Sequence, residues 1–146
     1  MPNHVTNRLC ITGPKKDRDA FLATLMFPGY HVDHDKGKFS LNQIVPMPSN
    51  VFRGDLGRYE EAKYPEDKNW YGWSVKNWGT KWDCYDVQDA KVGTKSIKLV
   101  FQTAWSPPRE WMYTASKAFP TLKFCNHYAI EGNGKGVSTM REGEPA

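Results

Sequence analysis

"VFQTAWSPPREWMYTASKAFPT" (residues 100–121) decides the fold. Its alternating apolar start runs into Ser-Pro-Pro, which cannot continue a paired strand and favours the opening of a helix. Ser106 is placed to cap that helix and Pro107 to sit in its first turn. Trp111, Met112, Ala115, Ala118 and Phe119 then recur at helical spacing, and Phe119-Pro120 ends the run. The same order occurs earlier, in "LCITGPKKDRDAFLATLMFPG" (residues 9–29). There Pro14 opens the helix, Phe21, Leu22, Leu25 and Met26 form its stripe, and Phe27-Pro28 stops it. Two strand–helix–strand units with helices of nearly equal length predict an α+β fold. The layout is ferredoxin-like: a mainly antiparallel sheet with two main helices packed on one face.

The remaining elements are placed around this frame. "HVTNRLCIT" (4–12) alternates as a strand with Val5, Leu9 and Ile11 on one side, and "SIKLVFQTAW" (96–105) does so through Ile97, Leu99 and Phe101. "KFSLNQIV" (38–45) reads as a further strand, "KWDCYDVQDA" (81–90) as an extended run, and "TLKFCNHY" (121–128) as a strand. "VSTMR" (137–141) pairs back across the turn "EGNGKG" as a hairpin. A single domain is expected over residues 1–141, with an irregular surface connection over about 47–68 that holds a short helix near "YEEAK". Residues 142–146 are expected to be a loose tail.

Inserted between the two units is "NWYGWSVKNWGTKWD" (69–83), with four tryptophans in fifteen residues. The spacing of Trp70, Trp73 and Trp78 fits a short helix closed by Gly79. Indoles can fill a core or grip a partner. Trp78, Trp105 and Trp111 are expected in the core, while Trp70, Trp73 and Trp82 are the candidate surface rings.

The composition, 39% hydrophobic and 25% charged over 146 residues, is that of one globular domain rather than a disordered chain. A net charge of +4 tolerates a phosphate-bearing partner, yet the basic residues are scattered among acids, as in "KKDRD" and "YEEAKYPEDK". Three widely spaced cysteines do not make a disulfide framework, and no apolar run is long enough to span a membrane. The N-terminus has no apolar signal core, so a cytoplasmic location is expected.

No constellation of residues completes a catalytic or metal site. His31 and His34, with Asp33 and Asp35, form a polar loop that lacks a completing Cys or His pair at zinc spacing. Asp83, Asp86 and Asp89 alternate in direction on an extended run and so do not converge on a two-metal centre; solvated edge charges account for them better. Cys125 and His127 share a strand face, with nothing nearby in sequence to orient the imidazole. His4-Val5-Thr6 supplies half of a paired His-x-Thr phosphoesterase signature, without the other half. "EGNGKG" is not followed by the strand–loop–helix of a phosphate-binding loop. No cofactor and no metal are therefore expected.

"FSLNQIVPMPSN", "NWGTKWD" and "TAWSPP", with "MPNHVTNRL…ITGP" and "FCNHYAIEGNGKGV", resemble the YubB-type ferredoxin-like proteins of plasmids, prophages and phages. The resemblance implies a ferredoxin-like fold and a mobile-element origin. It supplies no catalytic residues, because that family has none to transfer. The expectation is a non-enzymatic binding protein that occludes a protein of a bacterial host, such as part of a defence system. Its binding face would centre on Trp70, Trp73, Lys76, Lys81, Trp82 and Arg109. A nucleic-acid or nucleotide binder is the alternative, with sheet-face aromatics stacking bases and Lys76, Lys81 and Arg109 meeting phosphates. A hydrolase acting through Asp83, Asp86 and His127 ranks third.

Overall fold

A computed structural model describes residues 3–25 and 39–146. In chain order its elements are β1 (His4–Thr12), α1 (Lys15–Leu25), a 3-10 turn (Leu41–Gln43), α2 (Arg58–Lys63), a second 3-10 turn (Glu66–Lys68) and α3 (Trp70–Asn77). There follow β2 (Lys91–Val92), β3 (Ser96–Ala104), α4 (Arg109–Ala118), β4 (Lys123–Ile130), β5 (Gly134–Arg141) and β6 (Glu144–Pro145). The strands form one sheet in the order β2-β3-β1-β4-β5-β6, with every pair antiparallel. The central order β2-β3-β1-β4 is that of a ferredoxin-like fold, and β5 and β6 extend it as a meander.

Alternation along each strand sorts the sheet into two faces. Leu9 and Ile11 of β1, Ile97, Leu99 and Phe101 of β3 and Phe124 of β4 point inward. There they meet Phe21 and Leu25 of α1 and Trp111, Met112 and Ala115 of α4. Phe21 sits edge-on to both Phe119 and Phe124, at 5.2 and 5.4 Å. Trp111 is fully buried, stacks on Phe39, and donates its indole N–H to the Leu41 carbonyl at 2.9 Å. Both helices therefore cover the same face, as the two repeated units predict.

The helix starts depend on partners elsewhere in the chain. The Pro14 carbonyl accepts from the Asp17 and Arg18 amides, which opens α1. Arg18 is buried, and its guanidinium donates to the carbonyls of Gly13, Gly93 and Thr94, tying α1 to the β2–β3 turn. Ser106 does not cap α4 as expected: its hydroxyl donates to the Gly79 carbonyl at 2.5 Å, and Pro108 stands at the cap position. Ala118 is exposed, and Ser116 takes a buried place on the α4 stripe.

Three expectations about the sheet are corrected. Over the described part of 38–45 there is no strand. Ser40 caps the 3-10 turn instead, and Leu41 is pinned through its amide to Asp83 and through its carbonyl to Trp111. Side chains thus satisfy the backbone that a sheet would otherwise have to pair. The returning strand of the first unit is the two-residue β2, preceded by an irregular run along β3 through Tyr85–Gln102 and Gln88–Val100 hydrogen bonds. The C-terminal residues are not loose, because Glu144 and Pro145 pair with Arg141 and Met140 while the Gly143 amide donates to Ser116.

The connection over 47–68 is irregular but ordered. Arg53 donates to the carbonyls of Met47, Pro48, Ser49 and Val51, and Phe52 stacks on Tyr64 at 4.4 Å. Phe52 and Asn69 form a parallel bridge that delivers the chain into α3.

Asp83 is likewise not a solvated edge charge. Its carboxylate accepts from the Ser40 hydroxyl and the Leu41 and Cys84 amides, which locks residues 40–42 against the run beside β3. Burial, with the neighbouring Asp83 carboxylate second, pushes the Cys84 thiol well above its ordinary value of 9.0. Unfolding would release that thiol to its ordinary value. Its contribution is therefore fully present below about pH 9 and is lost as pH rises toward the folded-state value. Tyr85, raised chiefly by burial and then by Asp86 and Glu131, acts in the same direction at higher pH. The midpoint of urea unfolding should thus fall from about pH 8 to about pH 10, and less steeply in Cys84→Ala. Equal alkaline slopes in the two proteins would contradict this role for Cys84.

Candidate functional site: an exposed aromatic surface

The Trp-rich helix forms as predicted. The Asn69 side chain accepts from the Gly72 amide to cap α3, and the Trp78 and Gly79 amides both bond to the Ser74 carbonyl at its end. Gly79 has φ +82, and a Cβ there would lie 3.0 Å from the Glu110 amide nitrogen, so the turn onto α4 requires glycine. Trp73 packs edge-on against Trp78 at 5.0 Å, and the Trp78 indole donates to the Val45 carbonyl. These two rings join α3 to the core.

The division of the indoles differs from expectation at two positions. Trp73, a candidate surface ring, is only 7% exposed, because the turn that starts at Trp70 carries it inward against Trp78. Trp105, expected in the core, is 42% exposed. Strand alternation would have sent it inward beside Phe101 and Thr103. Instead it has φ +73, uncommon for a residue with a side chain, which turns the ring out just past the end of β3. Such a conformation costs about 1–3 kcal/mol and persists only where the surroundings impose it. Here the Trp105 amide donates to the Asn3 carbonyl, and the Thr103 hydroxyl donates to the Ser106 carbonyl on the far side of the turn.

Around Trp105 a surface assembles from three segments. Tyr71 of α3 meets it edge-on at 5.7 Å. Lys81 lies between two indoles, with Nζ 4.6 Å from the Trp82 ring centre and 4.5 Å from that of Trp105. Both distances are within cation–π range. Trp70 lies 6.0 Å from Tyr71 and 6.5 Å from Trp82, and its indole N–H is held by the Gly54 carbonyl. The loop beneath is fixed by Thr80, whose hydroxyl donates to the Ala104 carbonyl at 2.7 Å, and by the Ser106–Gly79 bond. The rings therefore stand on a hydrogen-bonded frame rather than on a free loop.

Of the six residues singled out in the sequence, Trp70, Lys81 and Trp82 come together here. Arg109 is exposed at the first turn of α4, four residues beyond Trp105. Lys76 is exposed but engaged with Asp67 at 3.0 Å, and that contact holds the Asp67 carboxyl below its usual range. Trp73 belongs to the core. Tyr71 and Trp105 are the members that sequence reading missed. The Trp-Ser-Pro-Pro break marks where the strand ends, but nothing in it announces a positive φ.

Other candidates are dispersed. Among the described residues no group of three or more His, Cys, Asp or Glu side chains could hold a metal ion, and His31, Asp33, His34 and Asp35 lie outside those residues. Asp83 is occupied as described, and β3 and β1 lie between the run carrying Asp86 and the β4 strand that carries His127. Cys125 and His127 do meet, at 3.6 Å on the outer face of β4, where Thr139 lies 3.8 Å from the sulfur. The strand aromatics Phe101 and Phe124 point into the core, so those two rings are not free to stack bases in the way the alternative reading expected. Among the described residues no helix is long and apolar enough to cross a membrane.

The fold is ferredoxin-like, an antiparallel sheet backed on one face by α1 and α4. Residues 77–146 match the family model described as a ferredoxin-like domain in Api92-like protein. The matched stretch carries Lys81, Trp82, Trp105 and Arg109 and all the strands except β1, which lies between β3 and β4. No curated protein and no solved structure matches the chain.

Proposed function

We propose that this chain is a non-enzymatic binding protein of a phage or plasmid, allied to the YubB-type proteins. It acts by occluding a protein in the cytoplasm of its bacterial host, a defence component being the leading class. The observation that carries the reading is Trp105: an indole held outward at φ +73, with Lys81 pressed between it and Trp82 and with Tyr71 against its edge. Protein interfaces draw most of their energy from a few Trp, Tyr and Arg side chains on preorganised backbone, encircled by polar groups. Tyr71, Trp82, Trp105 and Arg109 supply those types, and the bonds from Thr80 and Ser106 limit the ordering lost on association.

Site-specific photocrosslinking tests this. A benzophenone amino acid replaces Trp105 in one protein and Val92, exposed on the remote edge strand, in another. Irradiation in host lysate should give one discrete covalent adduct from position 105 that position 92 does not give. Matching adduct patterns, or none from position 105, would overturn the assignment of this surface.

A further inference from the structure

Among the described residues no helix packs on the face of the sheet opposite α1 and α4, and that face is strongly basic. Register places its side chains in four rows across the strands. Ser96, Thr12, Lys123, Arg141 and Glu144 make the first row, and Lys91, Lys98, Cys10, Cys125 and Thr139 the second. Val100, Arg8, His127 and Val137 make the third, and Gln102, Thr6, Ala129 and Lys135 the fourth. Arg8, Lys98, His127 and Val137 are exposed, and α1 and α4 both pack on the other side.

Six cations thus share this face with one carboxylate, Glu144. That is a net of +5 in a chain whose total is +4, so the remainder of the molecule is close to neutral. The ion pairs found among the described residues are Lys15–Asp19 and Lys76–Asp67, and neither involves this face. Asp86 and Glu131 act on Tyr85 at one corner of the face, where the Tyr85 phenol is bonded to His4. Sequence order hides the asymmetry because the six cations are dispersed over β1, β2, β3, β4 and β5 and come together only through the register of the sheet.

We infer that this face binds the phosphate backbone of single-stranded nucleic acid, independently of the aromatic surface. Charge complementarity requires a polyanion, since six like charges on one open face repel each other until counter-charge arrives. Between the cations lie Thr6, Thr12, Gln102 and Thr139, neutral groups of the kind that donate to phosphate and sugar oxygens. A six-stranded face is about 24 Å wide. It cannot enter a duplex groove that admits a two-stranded ribbon, whereas a flexible single strand can follow its twist. Among the described residues no aromatic ring apart from the corner pair of Tyr85 and His4 and the imidazole of His127 stands on the face, so contact is with the backbone and is indifferent to base sequence.

The test is fluorescence anisotropy of the full chain with a labelled single-stranded DNA of mixed sequence, titrated between about 50 and 200 mM salt. Binding should weaken linearly in log–log form with salt. Replacing Arg8 and Lys98 together by alanine should lower that slope by about 1.4, at about 0.7 for each phosphate no longer neutralised. Arg8→Glu with Lys98→Glu should cost at least about tenfold in affinity at the low-salt end. All four changes are at exposed positions and should leave the circular dichroism unchanged. Trp105→Ala should bind DNA as the wild type does, so failure of the aromatic-surface reading is read separately. No binding at low salt, an unaltered charge-reversed variant, or equal competition by polyglutamate of matched charge would overturn the inference.

Discussion

Gly72→Ala will destabilise the protein by about 3 kcal/mol, although a glycine-to-alanine change inside a helix ordinarily gains about 0.5–1 kcal/mol. A Cβ at position 72 would lie 1.9 Å from the Glu66 carbonyl oxygen and 2.7 Å from its carbonyl carbon. These are backbone atoms, so no side chain can swing aside. Glu66 also has little room to adjust, since it already has φ +55 at the start of the 3-10 turn that packs against α3. The strain can be relieved only by lifting α3 from that turn, which also moves Tyr71 and Trp70 out of the aromatic surface. Urea denaturation measures the loss, and Val75→Ala on the same helix serves as control. Val75 is 43% exposed, so its replacement should change stability by no more than about 0.5 kcal/mol. A Gly72→Ala protein as stable as the wild type would show that the close approach of the two segments is wrong.

The fold was largely legible because its signals are local. Proline before a helix, a periodic apolar stripe and Phe-Pro at the end of α4 need no knowledge of the rest of the chain. The strands with strict alternation, β1, β3 and β4, were equally plain. What escaped reading depends on distant partners. Residues 39–45 have apolar side chains at strand-like intervals, yet Asp83 and Trp111 hold their backbone in a capped 3-10 turn. Ser106 has the identity and position of a helix cap, but its hydroxyl is taken by Gly79, 27 residues earlier. The two strand residues at the C-terminus carry no β pattern at all, and only the turn at Glu142 and Gly143, both at positive φ, folds them back.

The candidate site was half legible for the same reason. Composition pointed to the Trp-rich stretch and named Trp70, Lys81 and Trp82, which do lie together. It could not separate Trp73 from Trp105, since helix phase fixes the first and one backbone angle the second. The basic sheet face was invisible in the linear charge pattern, because it exists only once the register of β1, β3, β4 and β5 is set.

The central claim is that Trp105 anchors a protein partner. Truncating a central interface tryptophan typically costs about 2–4 kcal/mol, or about 30- to 1,000-fold in affinity. The ring also gives Lys81 one of its two aromatic faces, so its removal loosens the cation that Trp82 would then hold alone. Stability should change little by comparison, since the ring is well exposed and alanine at φ +73 is no worse placed than tryptophan. The decisive measurement is calorimetric affinity for the host protein captured at position 105, with wild-type and Trp105→Ala chains of verified fold. The account predicts a loss of at least about 30-fold for Trp105→Ala. Equal affinity of the two proteins would contradict it.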